Sequence, residues 1–379
     1  MNPATRLIAA ALLCAIAVAG CRTVVAPDAA RVELAPELGR LLLVGFHGTD
    51  ADGDLEALLC RARVGGILLF ARNIVDPAQV ARLTARARAH AAACGEARLL
   101  VAVDAEGGRV MRLGPAAGYS PTLSAQELGA GNDLALTELE ALRIGTRLRH
   151  AGIDWNLAPV VDVGYNPANS VIVGNGRAFS ADPERVTAFA AAWIRGMHAA
   201  GVLTALKHFP GHGSSFGDSH HGFVDVTDTA DPAVELVPYR ALIAAGLVDS
   251  IMTAHVFNRR LDRRHPATLS PATIGGVLRE QLGFQGVVVS DDLRMGAIEQ
   301  RYGLDDAAPL ALLAGVDMLL IADDRLPDGR SATTVTLAAL RHALATGHLP
   351  LDRVAQSLAR IRALGARTGA PGGAPGVRP

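Results

Sequence analysis

The sequence is short of lysine, cysteine and aromatic residues, and these shortages exclude several classes of protein. Aromatic residues make up 4% of the 379-residue chain, and 36 Lys and Arg against 37 Asp and Glu leave a net charge of −1. Such a chain offers neither a basic surface nor a base-stacking platform, so no nucleic-acid partner is expected. Four cysteines are too few for a disulfide scaffold or a zinc ribbon. Half of the residues are hydrophobic, which suffices for a large buried core.

Lysine occurs once, as Lys207, and all other basic residues of the 36 are arginines. A lysine that persists in such a background suggests a position where a planar guanidinium cannot replace a compact ammonium. Chance survival is the alternative. The location of Lys207 within a cluster of titratable residues favours a functional position.

The first 20 residues have the pattern of a secretory signal peptide, with Arg6, an apolar run over 7–19 and small residues. The run is shorter than the roughly 20 residues of a membrane span. It ends in Val-Ala-Gly-Cys, which resembles the lipobox of bacterial lipoproteins and predicts lipidation of Cys21; plain secretion is the alternative. We expect a periplasmic lipoprotein whose residues 21–34 form a lipid-tethered linker, its only membrane contact. Arg22 in place of a retention aspartate favours the outer membrane.

Eight short apolar runs alternate with segments of helical periodicity, among them 77–93 and 232–245. The runs cover 41–46, 66–70, 99–103, 155–161, 203–209, 250–256, 286–290 and 316–321. Nearly continuous apolar strands followed by helices predict an α/β protein, a single (β/α)8 TIM-type barrel over residues 35–366. An open doubly wound sheet is the alternative, but polar residues follow most strands instead of one switch point. The Gly- and Pro-rich residues 367–379 are expected to form a disordered tail.

Polar residues collect at the predicted carboxyl ends of the strands, where barrel active sites lie. They are Asp104–Arg112, Asp162, Arg177, Lys207–Gly213, Asp218–His220, His255 and Ser290–Asp292. His208 and His212 have the spacing of a helical metal pair, but the intervening Pro210 and Gly211 break a helix. The nearby glycines match no phosphate-binding fingerprint. We therefore expect neither a metal nor another cofactor.

Glycoside hydrolysis fits these residues better. A retaining glycosidase needs a carboxylate nucleophile and a group that protonates the leaving oxygen. Asp291, at the end of a strand, suits the nucleophile. Asp218 and His220 are two residues apart, so that in an extended loop both side chains point the same way and Asp218 can orient the imidazole.

The motif Lys207–Gly213 with Asp218-Ser219-His220 belongs to a longer pattern. Further segments of this pattern are 44–46, 66–70, 73–74, 104–110, 156–162, 252–256 and 290–293. In this order they resemble the bacterial β-N-acetylglucosaminidases of glycoside hydrolase family 3. The resemblance covers about residues 38–365. It implies a retaining exo-enzyme that hydrolyses terminal β-linked N-acetylglucosamine (GlcNAc) from peptidoglycan fragments, a small carbohydrate substrate, through a covalent glycosyl-aspartate. We expect a monomer.

The resemblance also implies residue roles. Asp291 matches the nucleophile, and His220, paired with Asp218, matches the general acid/base. The GlcNAc ring is bound by residues that match Asp104, Arg112, Arg177, Lys207 and His208. No direct contact with substrate is implied for His255, Asp292 or Arg109, and Glu106 is interpreted as structural.

The sequence departs from the family pattern at two places. Ala105 stands where the family usually has Gln, and Phe223-Val224 stands where Leu-Pro is common. The alternative functions are a phosphorylase on the same fold and a non-catalytic glycan-binding lipoprotein.

Cys60 and Cys94 fall near the ends of the first two barrel helices. In the oxidising periplasm this position predicts a disulfide between them; two buried thiols are the alternative.

Overall fold

The structure is a computed structural model that describes residues 34–95 and 98–368. The predicted signal peptide, Cys21, the predicted linker up to residue 33 and residues 369–379 of the predicted tail lie outside the described residues. Within the described part of the chain, no helix combines the length and apolar character that crossing a membrane requires.

Eight parallel strands form a barrel. They are β1 (Leu42–Gly45), β2 (Gly66–Leu69), β3 (Leu100–Val103), β4 (Trp155–Asn156), β5 (Leu203–Phe209), β6 (Ser250–Thr253), β7 (Val287–Val289) and β8 (Leu319–Ile321). Each strand from β1 to β6 pairs with the next, and β8 pairs with β1. A parallel bridge between Val289 and Met318 joins β7 to β8 and closes the ring. The predicted barrel is confirmed.

Helices surround the strands. They are α1 (Asp54–Glu56, continued by Ala57–Ala62), α2 (Pro77–Ala93), α3 (Leu134–His150), α4 (Pro183–Ala199), α5 (Val237–Ala244), α6 (Ala272–Gln281), α7 (Gly303–Ala314), α8 (Ala332–Thr346) and α9 (Leu351–Ala366). Short helices Ala125–Gly131, Pro232–Glu235 and Gly296–Glu299 lie in loops. All residues of the eight strands are buried, which explains why the apolar runs are continuous.

Two predicted elements differ from the observed ones because of proline. The predicted strand 155–161 stops at Asn156, and beyond Pro159, which has no N–H to donate, Val160 makes only an isolated bridge with Lys207. The predicted helix 232–245 is interrupted at Leu236, since Pro238 in the first turn of α5 cannot continue a preceding helix.

Cys60 of α1 and Cys94, which follows α2, form a disulfide with a Cα–Cα distance of 5.2 Å. The predicted pairing is thereby confirmed. Barrel helices run antiparallel to the strands, so the bond lies near the face of the barrel opposite the strand ends that carry the polar residues.

Candidate active site

A cavity of about 390 Å³ opens at the carboxyl ends of the barrel strands. Its lining includes all eight residues that the sequence assigned to catalysis or sugar binding: Asp104, Arg112, Arg177, Lys207, His208, Asp218, His220 and Asp291. They come from strands or loops far apart in sequence and meet because parallel strands end on one face. Phe70, Glu106, Asn175 and His212 also line the cavity.

Lys207, at the end of β5, reaches across the barrel between two carboxylates. Its Nζ lies 2.7 Å from Asp104 Oδ1 and 2.7 Å from Glu106 Oε1, and only 3% of the side chain is exposed. Burial acts to lower the pKa of Lys207, but the two carboxylates outweigh it and hold the pKa above its ordinary value. The side chain is therefore a fixed ammonium ion.

Glu106 organises this side of the cavity. Its two carboxylate oxygens accept hydrogen bonds from Arg177 Nε and Nη2, each at 2.8 Å, in a bidentate pair. Burial acts to raise the pKa of Glu106, but Arg177 and Lys207 outweigh it and hold the pKa far below its ordinary value. Sequence reasoning interpreted Glu106 as structural. The structure places its carboxylate in the cavity wall, in contact with two of the predicted sugar-binding residues.

Asp162, which follows β4, orients His208. Its Oδ2 lies 2.7 Å from His208 Nδ1, and its Oδ1 accepts from the backbone N–H of His212 at 2.8 Å. Asp162 is 1% exposed, and the imidazoles hold its pKa below the ordinary value although burial acts to raise it. The other ring nitrogen of His208, Nε2, lies 3.4 Å from Arg177 Nη2, on the cavity side.

The loop after β5 carries the predicted acid/base pair. His220 Nδ1 lies 2.7 Å from Asp218 Oδ1, and the His220 backbone N–H donates to the same oxygen at 2.9 Å. The imidazole is 57% exposed, so it faces the mouth of the cavity. Buried His212 fixes the loop from inside, because its Nδ1 and Nε2 lie 2.7 Å from Ser215 Oγ and 3.0 Å from Ser219 Oγ.

Asp291 lies on the floor of the cavity, directly after β7. Its Oδ1 accepts from the Asp292 backbone N–H at 2.8 Å. Burial acts to raise the pKa of Asp291, but the imidazoles of His208 and His255 outweigh it and keep the pKa below its ordinary value. Asp291 is thus an ionised carboxylate, and no guanidinium or ammonium group of the described residues binds it, which leaves its electron pairs available for attack on carbon.

The neighbouring Asp292 is shifted the opposite way. Burial, with the charge of Asp291 as a further contribution, raises the pKa of Asp292 to about 6, although the backbone N–H groups of Ala322 and Arg294 donate to its carboxylate. Its carbonyl accepts from His255 Nε2 at 2.9 Å. Two adjacent carboxyl groups with pKa values driven apart are typical of a catalytic centre.

The remaining sequence-predicted residues are also placed. His255 is buried against Thr268 Oγ1 at 2.7 Å, and Arg109 donates to Asn175 Oδ1 at 3.3 Å at the surface. Neither lines the cavity, whereas Asp292, for which no substrate contact was expected either, does line it. Across residues 34–95 and 98–368, no three His, Cys, Asp or Glu side chains are arranged to hold a metal ion.

A (β/α)8 barrel with an ionised carboxylate on the cavity floor and a carboxylate–imidazole pair on a separate loop has the groups that a glycoside hydrolase needs. A model of the glycosyl hydrolase family 3 N-terminal domain matches residues 33–364, and the chain belongs to this family. The resemblance found in the sequence is confirmed.

Individual relatives agree with this assignment. A β-hexosaminidase of Stenotrophomonas maltophilia is 40% identical over 321 residues, covering 79% of this chain and 90% of its own length. A family 3 β-N-acetylglucosaminidase structure from Paenibacillus is 38% identical with a TM-score of 0.84, covering 91% of this chain, which spans 64% of that one. A β-N-acetylhexosaminidase structure from Beutenbergia cavernae is 31% identical with a TM-score of 0.80, over 88% and 98% of the two chains.

Proposed function

We propose that this chain is a retaining exo-β-N-acetylglucosaminidase that releases terminal β-linked GlcNAc from peptidoglycan fragments. The observation that carries the proposal is the presence of Asp291 and the Asp218–His220 pair on one cavity. The names of the similar proteins, β-hexosaminidase and β-N-acetylglucosaminidase, support the choice of sugar.

In the first step, the carboxylate of Asp291 attacks the anomeric carbon while His220 donates its proton to the departing glycosidic oxygen. The Asp218 carboxylate lies 2.7 Å from Nδ1 and stabilises the imidazolium before transfer. Because Nδ1 is bound to Asp218, the proton that is transferred is the one on Nε2. The products are the free aglycone and a covalent glycosyl-Asp291 ester.

In the second step, the now neutral His220 removes a proton from a water molecule, and the resulting nucleophile displaces the Asp291 carboxylate. Two inversions at one carbon retain the β configuration. A histidine suits both roles, because a second carboxylate beside the anionic Asp291 would raise the pKa values of both groups.

The sugar is held by the charged wall opposite. Asp104 offers acceptor oxygens to ring hydroxyls, Arg177 offers N–H donors, and His208 lines the same wall. Lys207 uses two of its three N–H donors on Asp104 and Glu106, so one remains for the substrate. Arg112, 3.8 Å from Asp104 Oδ2, lies at the edge of this wall.

The proposal is tested with aryl glycosides. The enzyme should release p-nitrophenol from the β-GlcNAc glycoside and not from the β-glucoside, and at the same rate with and without phosphate. The variant Asp291→Asn should be inactive on every substrate. His220→Ala should lose less activity on aryl glycosides with good leaving groups, since these leave with little protonation.

A 5-fluoro glycosyl fluoride trap identifies the nucleophile directly. Peptide mass spectrometry should find the label on the peptide spanning residues 287–295. A label on another peptide, or an active Asp291→Asn variant, would exclude Asp291 as the nucleophile. Phosphate-dependent turnover would favour the phosphorylase instead.

For the location, we propose a periplasmic lipoprotein held in the outer membrane through Cys21. We propose in addition that the protein is a monomer. The lipobox-like sequence before Cys21 supports the anchor. Wild-type protein should fractionate with outer membranes, and Cys21→Ser should be found in the soluble fraction. Wild-type protein in the soluble fraction would contradict the anchor, and size-exclusion chromatography of the Cys21→Ser protein tests the monomer.

A further inference from the structure

The tip of the loop that carries His220 is bound to the chain segment that directly follows the nucleophile. The carbonyl oxygens of Ser219 and His220 accept from the backbone N–H groups of Ala297 and Gly296, each at 3.1 Å. The next carbonyl, of His221, accepts from Gln300 Nε2 at 3.1 Å. Three consecutive carbonyl groups around the acid/base residue thus dock on residues 296–300.

This docking segment is itself fixed to the barrel. Met295 N donates to Asp292 O at 2.9 Å, and the same carbonyl accepts from buried His255. Arg294 Nη1 donates to the carbonyls of Asp323 and Arg325, each at 2.9 Å. Only four residues along the chain separate Asp291 from the start of the dock, so the dock is fixed to the same part of the barrel as the nucleophile.

The contact requires a glycine at its centre. A Cβ atom added to Gly296 would lie 2.8 Å from the His221 carbonyl carbon and 2.9 Å from His220 O. The conflict involves the loop and the Gln300 amide, 2.9 Å away, and Gly296 has no positive φ that only glycine adopts. A side chain here would therefore wedge the loop away from the barrel while leaving the backbone of the short helix Gly296–Glu299 unstrained.

We propose that residues 296–300 hold the loop so that the His220 imidazole stands at the leaving-group oxygen, with Gly296 and Gln300 as positioning residues. This inference rests on the proposed function. The loop is rich in glycine and serine, and the imidazole is largely exposed, so the docking bonds, together with the contact between Ser219 and His212, set its distance from Asp291. Weakening them removes proton donation but leaves sugar binding and nucleophilic attack in place.

The test is a series of aryl β-GlcNAc glycosides whose leaving phenols rise in pKa. Gly296→Ala should lose about tenfold or more in kcat/KM on the poorest leaving group and little on the best. Its kcat/KM should depend on the pKa of the leaving phenol in the same direction as that of His220→Ala, but less steeply. Gln300→Ala removes one exposed hydrogen bond and should show the same trend at about threefold. Gly275→Ala, on α6 with no atom within 4 Å of the added Cβ, is the matched control and should match wild type.

A double variant separates positioning from damage to the fold. In the His220→Ala background, Gly296→Ala should cause no further loss on any glycoside, because the group it positions is absent. A loss of equal size across the series, an additive loss in the double variant, or no loss at all would overturn the inference. If His220→Ala itself shows no dependence on the leaving group, the proposed acid/base role fails instead.

Discussion

Among individual residues, Lys207 has the most restricted environment. Its ammonium bridges Asp104 and Glu106, and Glu106 in turn binds Arg177, so two cations and two carboxylates share one buried cluster. Each ion in such a cluster depends on the others, because an unpaired charge in a buried site is strongly unfavourable. The cluster presents a preorganised polar wall to the sugar, with no reorientation needed when substrate binds.

Lys207→Arg should therefore be poorly tolerated, although it keeps the charge. A planar guanidinium is larger than an ammonium and cannot occupy the same buried position 2.7 Å from both carboxylates. We expect a loss of roughly 1–2 kcal/mol or more in transition-state binding, the scale of a charged hydrogen bond. Steady-state kcat/KM on the aryl β-GlcNAc glycoside measures it. A variant with wild-type kcat/KM would show that the single lysine survives by chance.

At the level of elements, the loop after β5 is anchored at its root as well as at its tip. Asn166 Nδ2 donates to the carbonyls of Ser214 and Ser215 at 3.0 Å. Gly211, with φ +152°, packs against Glu235, whose side chain would lie 2.7–2.9 Å from an added Cβ. Glu235 is 4% exposed and lies behind the loop. The loop thus has a fixed base, and its tip depends on the dock.

Glu235 should make stability depend on pH. Burial raises its pKa to about 7, above the ordinary value of 4.5, so the folded state holds a proton that the unfolded state has lost between these pH values. The stability that this proton contributes is present in full below pH 4.5 and is lost as the pH rises towards 7.

Glu235→Gln keeps the size of the side chain and an oxygen for the Tyr165 hydroxyl but cannot ionise. The variant should gain stability relative to wild type as the pH rises from 5 to 8, by at most about 3 kcal/mol at roughly 1.4 kcal/mol per pH unit. Denaturant unfolding at both pH values measures this. An equal difference between the two proteins at pH 5 and pH 8 would contradict the raised pKa.

For the whole molecule, closure of the barrel depends on one buried carboxylate at the face opposite the cavity. Asp317, just before β8, binds guanidinium groups from α6 and α9: Arg279 at 2.6 Å, Arg353 at 2.7 Å and Arg360 at 3.1 Å. It also accepts from the backbone N–H of Val288 in β7 at 3.0 Å. The last two strands and the last helix are therefore joined at a fully buried residue.

Asp317→Ala should lower the free energy of unfolding by about 3–5 kcal/mol, because it leaves buried guanidinium groups without a counter-charge. Activity at moderate temperature should persist, since Asp317 does not line the cavity. Denaturant unfolding with kcat/KM in parallel measures both. Asp328→Ala, which breaks an exposed pair with Arg330, is the control and should leave stability unchanged. Equal stabilities of the two variants would disprove this role.

Much of the fold follows from local sequence. Continuous apolar runs are required wherever both faces of a strand are covered, and α2 and β5 have the predicted bounds because Pro77 starts the helix and an unbroken run fills the strand. Where proline interrupts an apolar run, as at Pro159, the length of the run overestimates the length of the strand. The sequence could place the eight predicted site residues on one face because they match a family pattern and follow strands of a barrel, whose carboxyl ends lie on the same face.

Only the tertiary structure decided which of these residues touch. Glu106 sits among other acidic and glycine residues in the sequence, and nothing local indicates that its carboxylate pairs with Arg177, 71 positions away, and with Lys207. The opposite pKa shifts of Asp291 and Asp292 likewise arise from burial and from imidazoles on other strands. Residue type and hydrophobic periodicity determine the helices and strands, because they act between residues a few positions apart in the chain. Charge state, pairing and the dock for His220 depend on distances across the barrel, which exist only once the chain has closed.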